Sequence, residues 1–331
     1  MEKIKLLLCL GTLSSLIAVN PISAQAQTTL AIQLYAGLSI TGAVGTVYAI
    51  QASTNLANTN SWITVNFIQL PATNYFWADT STAATGQRFY RAVTSAPTNL
   101  AFIPPGTFRM GSPTNEIGRS PDEGPQTIVT LTKGFFMGKY LVTQSNYLAV
   151  VGSNPSGFTG DLTRPVETVN WYDASNYCAL RTQQELSNSL IPAGSKYRLP
   201  TAAEWEYACR ALTSDRRFFY GDDVGYTNLT NYAWYNTNSV VTQPVGLKLP
   251  NQWGLYDMIG NVSEWCQDWY GPYSGGYLTD PLGPTTGTTR TIRGNSFFDP
   301  AIHSRSSQRG NLDPNYRNDV TRGFRVVLVA Q

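Results

Sequence analysis

The chain has few of the residues that build redox and metal chemistry. His303 is the sole histidine among 331 residues, so zinc and non-haem iron sites built on several imidazoles are excluded by count. Four cysteines occur, none in a C-x-x-C spacing. Charge is also scarce: 23 Lys and Arg against 21 Asp and Glu leave a net +2, which argues against a nucleic-acid or polybasic membrane partner. No apolar run reaches the ~20 residues that a membrane span requires. The longest, Ile4 to Val19, follows Lys3 and precedes Ala24-Gln25-Ala26, a small-x-small cleavage pattern. Residues 1–26 therefore read as a signal peptide, and the mature protein as secreted or periplasmic. Cys9 leaves with it. Cys178, Cys209 and Cys266 remain, an odd number that allows at most one intramolecular disulfide; the other reading is three buried small apolar side chains.

What is abundant is turn formers and aromatics: 28 Gly, 19 Pro and 12% Phe, Trp and Tyr describe a chain rich in ordered loops. Its length accommodates two modest domains. Residues 27–97 carry short alternating segments, among them Leu30–Tyr35, Val47–Gln51, Trp62–Phe67 and Phe89–Val93, which predict a small all-β, sandwich-like module. Trp62 and Trp77 either pack its core, the better reading, or lie exposed for carbohydrate. A linker follows at Thr94–Thr98. Residues 99–331 predict a second, α+β domain with short helices whose starts are marked. Thr143 caps one running through Val150, Asn170 with Asp173 caps another carrying Tyr177 and Cys178, and Thr201 with Glu204 forms a capping box for Ala202–Ala211. On the last, Trp205, Ala208 and Leu212 form one stripe, expected to be buried.

Asn251 to Tyr270, NQWGLYDMIGNVSEWCQDWY, has neither helical nor strand periodicity. Asp257, Gly260-Asn261 and Glu264 within it offer carboxylate and carbonyl oxygens that can converge on a hard cation such as calcium. A buried aromatic turn whose acids face water is the competing reading.

The succession GTFRMGS (106–112), VETVNWYDASNYC (166–178), YRLPTAAEWEYACR (197–210), NYAWYNTNS (231–239), PVGLKLPNQWGLYDMIGNVSEWCQDWY (244–270), RTIRGNS (290–296) and RGFRV (322–326) resembles the formylglycine-generating enzyme, or sulfatase-modifying factor, family. The resemblance covers residues 99–331. It implies a variant C-type-lectin-like fold, low in regular secondary structure and often stabilised by calcium. In the calcium site so implied, Asp257 serves through its side chain and Gly260, Val262 and Glu264 largely through backbone oxygens. Of the family's second calcium site only Asn231-Tyr232 match. Family members that oxidise a sulfatase cysteine bind copper(I) through two cysteines placed just after an R-G-G-S segment. Here that segment is Arg293-Gly294-Asn295-Ser296, no cysteine follows Cys266, and Asp299 and Ser304 are the nearest replacements. Hard oxygen donors do not reproduce a thiolate site for a soft ion, so formylglycine formation by copper is not expected. Cys178 and Cys209 match positions that are disulfide-bonded in the family, but their partners are lost, with Val326 at one of them.

Two readings of function follow from the resemblance. In the first, the chain is a divergent member of this oxidase family that acts on or binds an extracytoplasmic substrate: a pocket walled by Trp234, Trp265, Arg293, Ser296, Asp299 and His303 takes a polar substrate, a peptide, protein or small molecule, a sulfatase among the candidates. His303 is then the general base, with Ser304 beside it; otherwise His303 is a loop residue bonded to a backbone carbonyl. In the second, the scaffold is a non-catalytic binding module for peptides, sugars or proteins.

Overall fold

The computed structural model describes residues 35–58, 61–80, 87–213 and 215–330. The expected signal peptide at 1–26, and all of the Leu30–Tyr35 segment but its last residue, lie outside these. The leading module holds five strands: β1 (Ala36–Thr41), β2 (Val47–Ser53), β3 (Ile63–Gln69), β4 (Asn74–Asp79) and β5 (Phe89–Thr94). β1 pairs with β4, and β2 lies between β3 and β5, all antiparallel. Alternation along β2 decides what each face meets. Tyr48, Ile50 and Ala52 join Leu38, Ile40, Val65 and Leu70 in a core shared by the two sheets, with Trp77 packed against it. Trp62 lies under the Arg91 guanidinium, 4.4 Å from ring centre.

Ala49 and Phe67 point the other way, into a core shared with the rest of the chain. The Phe67 ring meets Phe136 edge-on at 5.1 Å. Thr64 donates to the Ala193 carbonyl through both its backbone N–H (2.9 Å) and its hydroxyl (2.7 Å). The Ala193–Gly194 turn can come this close because Gly194 has φ +76 and no side chain; a Cβ there would sit 2.6 Å from Ile63 Cα. The stretch expected as a linker is tied down as well, Ser95 N–H donating to Val47 O at 2.9 Å.

The remaining elements are β6 (Leu100–Ile103), β7 (Gly106–Met110), β8 (Thr127–Leu131), β9 (Phe135–Gly138), α1 (Gln144–Val151), α2 (Trp171–Ser187), β10 (Ser195–Arg198), α3 (Ala202–Arg210), α4 (Leu229–Tyr232), β11 (Ser263–Trp269), β12 (Gly276–Thr279), β13 (Arg290–Arg293), β14 (Arg309–Leu312), β15 (Arg322–Gly323) and β16 (Val327–Ala330). They form three small sheets, ordered β10-β16-β9-β6, β14-β13-β11-β15 and β12-β8-β7. The caps fall where the sequence marks them: Thr143 accepts from Asn146 N–H, and Asn170 with Asp173 and Thr201 with Glu204 close capping boxes. The expected stripe on α3 is corrected at its end. Trp205 and Ala208 are buried, but the helix stops at Arg210 because Ala211 turns left-handed (φ 41), and Leu212 is 69% exposed. Among the described residues no helix is long and apolar enough to cross a membrane.

Between these elements run long loops held by buried charge pairs. Every residue of α3 is buried, so Glu206 must find its partners inside. Its carboxylate accepts from Gly111 N–H (2.8 Å), Arg210 Nε (2.9 Å) and Arg293 Nη2 (2.5 Å). Burial opposes ionisation of Glu206, yet the charges of Arg293 and Arg210 outweigh it and hold the carboxyl below its ordinary range. Arg305 grips Glu123 with two bonds of 2.6 Å, and Arg325 grips Glu264 at 2.7 and 2.8 Å.

Two outcomes are expected. Phe67→Ala, which empties the contact between module and main domain, should cost about 3–5 kcal/mol and split a single thermal transition into two in calorimetry. Glu206→Gln, which leaves two buried guanidinium groups without a counter-charge, should cost about 3–5 kcal/mol in urea unfolding at pH 7. Because the folded pKa of Glu206 lies below its ordinary value of 4.5, its contribution is complete above that pH and is lost as the pH falls below it. The gap between wild type and Glu206→Gln should therefore narrow in unfolding measured at pH 3.5.

Candidate functional site

The loop following β13 carries most of the residues singled out in the sequence, and its hydrogen bonds divide them into separate groups. Ser296 and Asp299 come together: the Ser296 backbone N–H and hydroxyl both donate to Asp299 Oδ2 at 2.7 Å. Ser304 is fully buried, and its hydroxyl accepts from Asn295 Nδ2 at 2.8 Å. His303 ends a single 3-10 turn, Ala301–His303, half-buried, with its Nδ1 buried and without a bonding partner among the described residues. None of Asp299, Ser304 and His303 is hydrogen-bonded to another through its side chain. Arg293 pairs with Glu206 on α3 and also donates to the carbonyls of Ser307 and Gln308, both at 3.0 Å.

The two tryptophans also part. Trp265 on β11 has no exposed surface, and its indole N–H donates to Val169 O at 3.0 Å, which makes it a core residue. Trp234 is half-buried beneath the Lys248 ammonium, 3.8 Å from ring centre. Its backbone supports the Asp257–Glu264 loop: Trp234 O accepts from Asn261 N–H at 2.9 Å, and a Cβ on Gly260 would lie 2.3 Å from the same oxygen. Gly260 (φ 81) is thus glycine by necessity.

Asn295 links the two loops. Its amide donates to Ser304 on one side and accepts from Gly260 N–H at 2.7 Å on the other. In sequence Asn295 is a departure from R-G-G-S; in the fold its side chain is the connection.

The donors around the Asp257–Glu264 loop decide what a hard cation would meet there. The Asp257 carboxylate is fully buried, and burial raises its pKa to about 6 against the pull of Gly246 N–H and Arg325. Its Oδ2 accepts from Gly246 N–H at 2.8 Å and its Oδ1 from Asn261 Nδ2 at 3.5 Å. Lys248, the nearby ammonium, donates instead to Thr230 O. A carboxylate held in this way suits a cation. The Glu264 side chain does not contribute, since Arg325 occupies both of its oxygens. Its pKa is nonetheless raised, burial exceeding the effect of Arg325. Among the described residues no three His, Cys, Asp or Glu cluster as a metal site. An ion here would thus rest on Asp257 and on main-chain oxygens such as those of Gly260 and Val262.

The cysteines settle as buried apolar residues. Cys178, Cys209 and Cys266 are free, and burial pushes the first two thiols to about 12 and the third well above its ordinary value.

With the geometry in place, similarity to known proteins identifies the scaffold. The family described as sulfatase-modifying factor enzyme 1-like domain matches residues 85–330. The chain is 33% identical over 242 residues to a protein named chaperone protein LppX from Paenibacillus barcinonensis, covering 60% of this chain and 81% of that one. It is 36% identical over 155 residues to the formylglycine-generating enzyme of Streptomyces coelicolor, covering 43% of this chain and 45% of the enzyme, so it spans less than half of that relative. Among solved structures, Treponema denticola variable protein 1 superposes with a TM-score of 0.60 at 27% identity, covering 73% of this chain and 95% of that one. The expected α+β, variant C-type-lectin-like fold with little regular secondary structure is the fold observed. The chain belongs to the sulfatase-modifying factor, or formylglycine-generating enzyme, family.

Proposed function

We propose that the chain is an exported, non-oxidising member of this family that binds an extracytoplasmic polypeptide. One observation carries the reading: no cysteine follows Cys266, and Asp299 and Ser304, the nearest candidates to replace the copper-binding pair, have their side chains committed to Ser296 and Asn295, Ser304 with no exposed surface. The thiols that remain are buried and protonated at neutral pH. Beside the committed side chains, Phe298 stands 74% exposed, stacked edge-on to Phe297, an apolar anchor of the kind that polypeptide interfaces use. The leader at 1–26 supports export, and the name of LppX, a chaperone, supports a polypeptide partner. The name of the Streptomyces relative makes a sulfatase one such partner.

The test incubates the mature protein with copper(I), oxygen and a peptide carrying the sulfatase cysteine motif. Mass spectrometry should find no aldehyde, and its formation would refute the reading. Fluorescence anisotropy with the same labelled peptide decides the partner: binding that weakens at least tenfold in Phe298→Ala supports a sulfatase, and absence of binding removes sulfatases from consideration.

Calcium at Asp257 is part of the same proposal, as a structural ion. The folded pKa of Asp257, about 6, lies above its ordinary 3.8, so without the ion its burial costs stability progressively as the pH rises from about 4 to 6. At pH 7, 10 mM calcium should raise the melting temperature by roughly 3–10 °C over protein in EDTA, given the 10⁻⁴–10⁻³ M affinity of extracellular sites. Asp257→Asn should abolish the difference. A melting temperature that EDTA leaves unchanged in the wild type would remove the ion from the proposal.

A further inference from the structure

Arg290, at the start of β13, is a cation held in place by everything except a counter-ion. Its guanidinium carbon lies 3.8 Å from the ring centre of Trp171 and 3.5 Å from that of Trp269, between the two indoles. Trp171 opens α2 and donates its ring N–H to Cys266 O at 2.8 Å, and Trp269 ends β11. Within the plane of the fork, Nη1 donates to Gln267 O at 2.7 Å, which fixes the rotation of the group. Nε is buried and out of reach. Nη2 is neither buried nor hydrogen-bonded among the described residues, where Arg290 makes no ion pair. Asp268, the carboxylate that acts on its charge, is itself buried and holds Ala202 N–H. Burial accordingly lowers the Arg290 pKa. The rim is aromatic. Tyr172 is 48% exposed and near enough to act on Arg290, and Tyr316 is 47% exposed. The loop bearing Tyr316 is tied along the first turn of α2: Trp171 N–H donates to Pro314 O at 3.1 Å, and Arg317 pairs with Asp173 at 2.7 Å. Asp313, in the same loop, is engaged by the Asn315 backbone and side-chain amides.

A guanidinium covered on both faces keeps little hydration, and its open edge is a donor that lacks an acceptor. Two rings and one carbonyl already hold that edge in a single direction, so binding there pays little for ordering the arginine. A carboxylate matches it, taking charge-assisted hydrogen bonds from Nη2. Trp, Tyr and Arg together are also the side chains that dominate polypeptide interfaces. We propose that this patch binds an acidic segment of a polypeptide, one side-chain carboxylate on Arg290 Nη2 and the flanking residues against Tyr172 and Tyr316. The patch lies at the opposite end of β13 from the Ser296–Ser304 loop, and its occupancy does not rest on the reading given for Phe298.

The Trp269 indole N–H, assigned by its loss in Trp269→Phe, reports the site in proton–nitrogen correlation spectra of the full mature chain. Blocked hexaglutamate should shift it with a sub-millimolar Kd at low salt, and at least tenfold more weakly in about 0.5 M NaCl. Hexaglutamine should leave the signal in place, and acetate should bind at least tenfold more weakly than the acidic peptide. Arg290→Lys, which keeps the charge and loses the flat fork, should weaken hexaglutamate at least fivefold. Tyr172→Ala should do the same with an unchanged melting temperature, and Phe298→Ala should leave the affinity as it is. No shift up to 10 mM hexaglutamate, a shift with hexaglutamine, or acetate binding as tightly as the peptide would each overturn the proposal. So would tighter binding of an oligogalacturonate of equal charge, weakened binding in Phe298→Ala, or wild-type affinity in either folded Arg290→Lys or Tyr172→Ala. Should Arg290→Lys fail to fold, Tyr172→Ala and the ligand series decide alone.

Discussion

The fold depends on pairing arginine with glutamate where water is absent. A chain with this little regular structure leaves many loop carbonyls without the partners that helices and sheets provide, and buried carbonyls must be satisfied somewhere. A guanidinium carries five N–H donors in a rigid fork, enough to hold a carboxylate and cross-link backbone at once. Arg325 does this between strands and loop, holding Glu264 while donating to the carbonyls of Gly138, Tyr256 and Asp257. Arg293 joins α3 to the Ser307–Gln308 turn in the same manner, and Arg305 joins the Glu123 turn to the 3-10 turn at Ile302. Such pairs add little net stability over a well-packed apolar core, because desolvation offsets most of their attraction. They fix which loop lies against which.

This explains what could and could not be read in advance. Helix starts were legible because a cap is a local event: Thr143, Asn170 and Thr201 each act within three residues. The family blocks contain both ends of two of these long-range ties, Glu206 with Arg293 and Glu264 with Arg325. The ties themselves span up to 189 positions, as between Glu116 and Arg305, and no spacing rule reports them. Arg293 therefore read as a pocket residue although it is buried against Glu206, and Trp265 did so although its strand turns it into the core. One compositional signal was available. Arginine outnumbers lysine 17 to 6, the bias expected where cations are to be buried and forked rather than solvated.

The leading module is joined to the rest by the same preference for close backbone contact over regular pairing. Its central sheet has no solvent face along β2, since one side meets β1 and β4 and the other meets Phe136 and the Ala193–Gly194 turn. A small sheet buried on both faces reads as almost continuously apolar, which is why Val47–Ser53 shows only a weak alternation. Through Ala49 and Phe67 the leading strands share one apolar cluster with Phe136 and Tyr197.

The three cysteines give the molecule an internal gauge. Each is sealed within packed side chains and none is linked to another. A thiol that no reagent can reach in the native state, and that reacts promptly once the chain opens, marks opening events one molecule at a time. Cys178 on α2, Cys209 on α3 and Cys266 on β11 sample three separate elements. Their relative labelling rates would show whether the loop-rich half and the helices come apart together or in turn, without introducing any foreign probe.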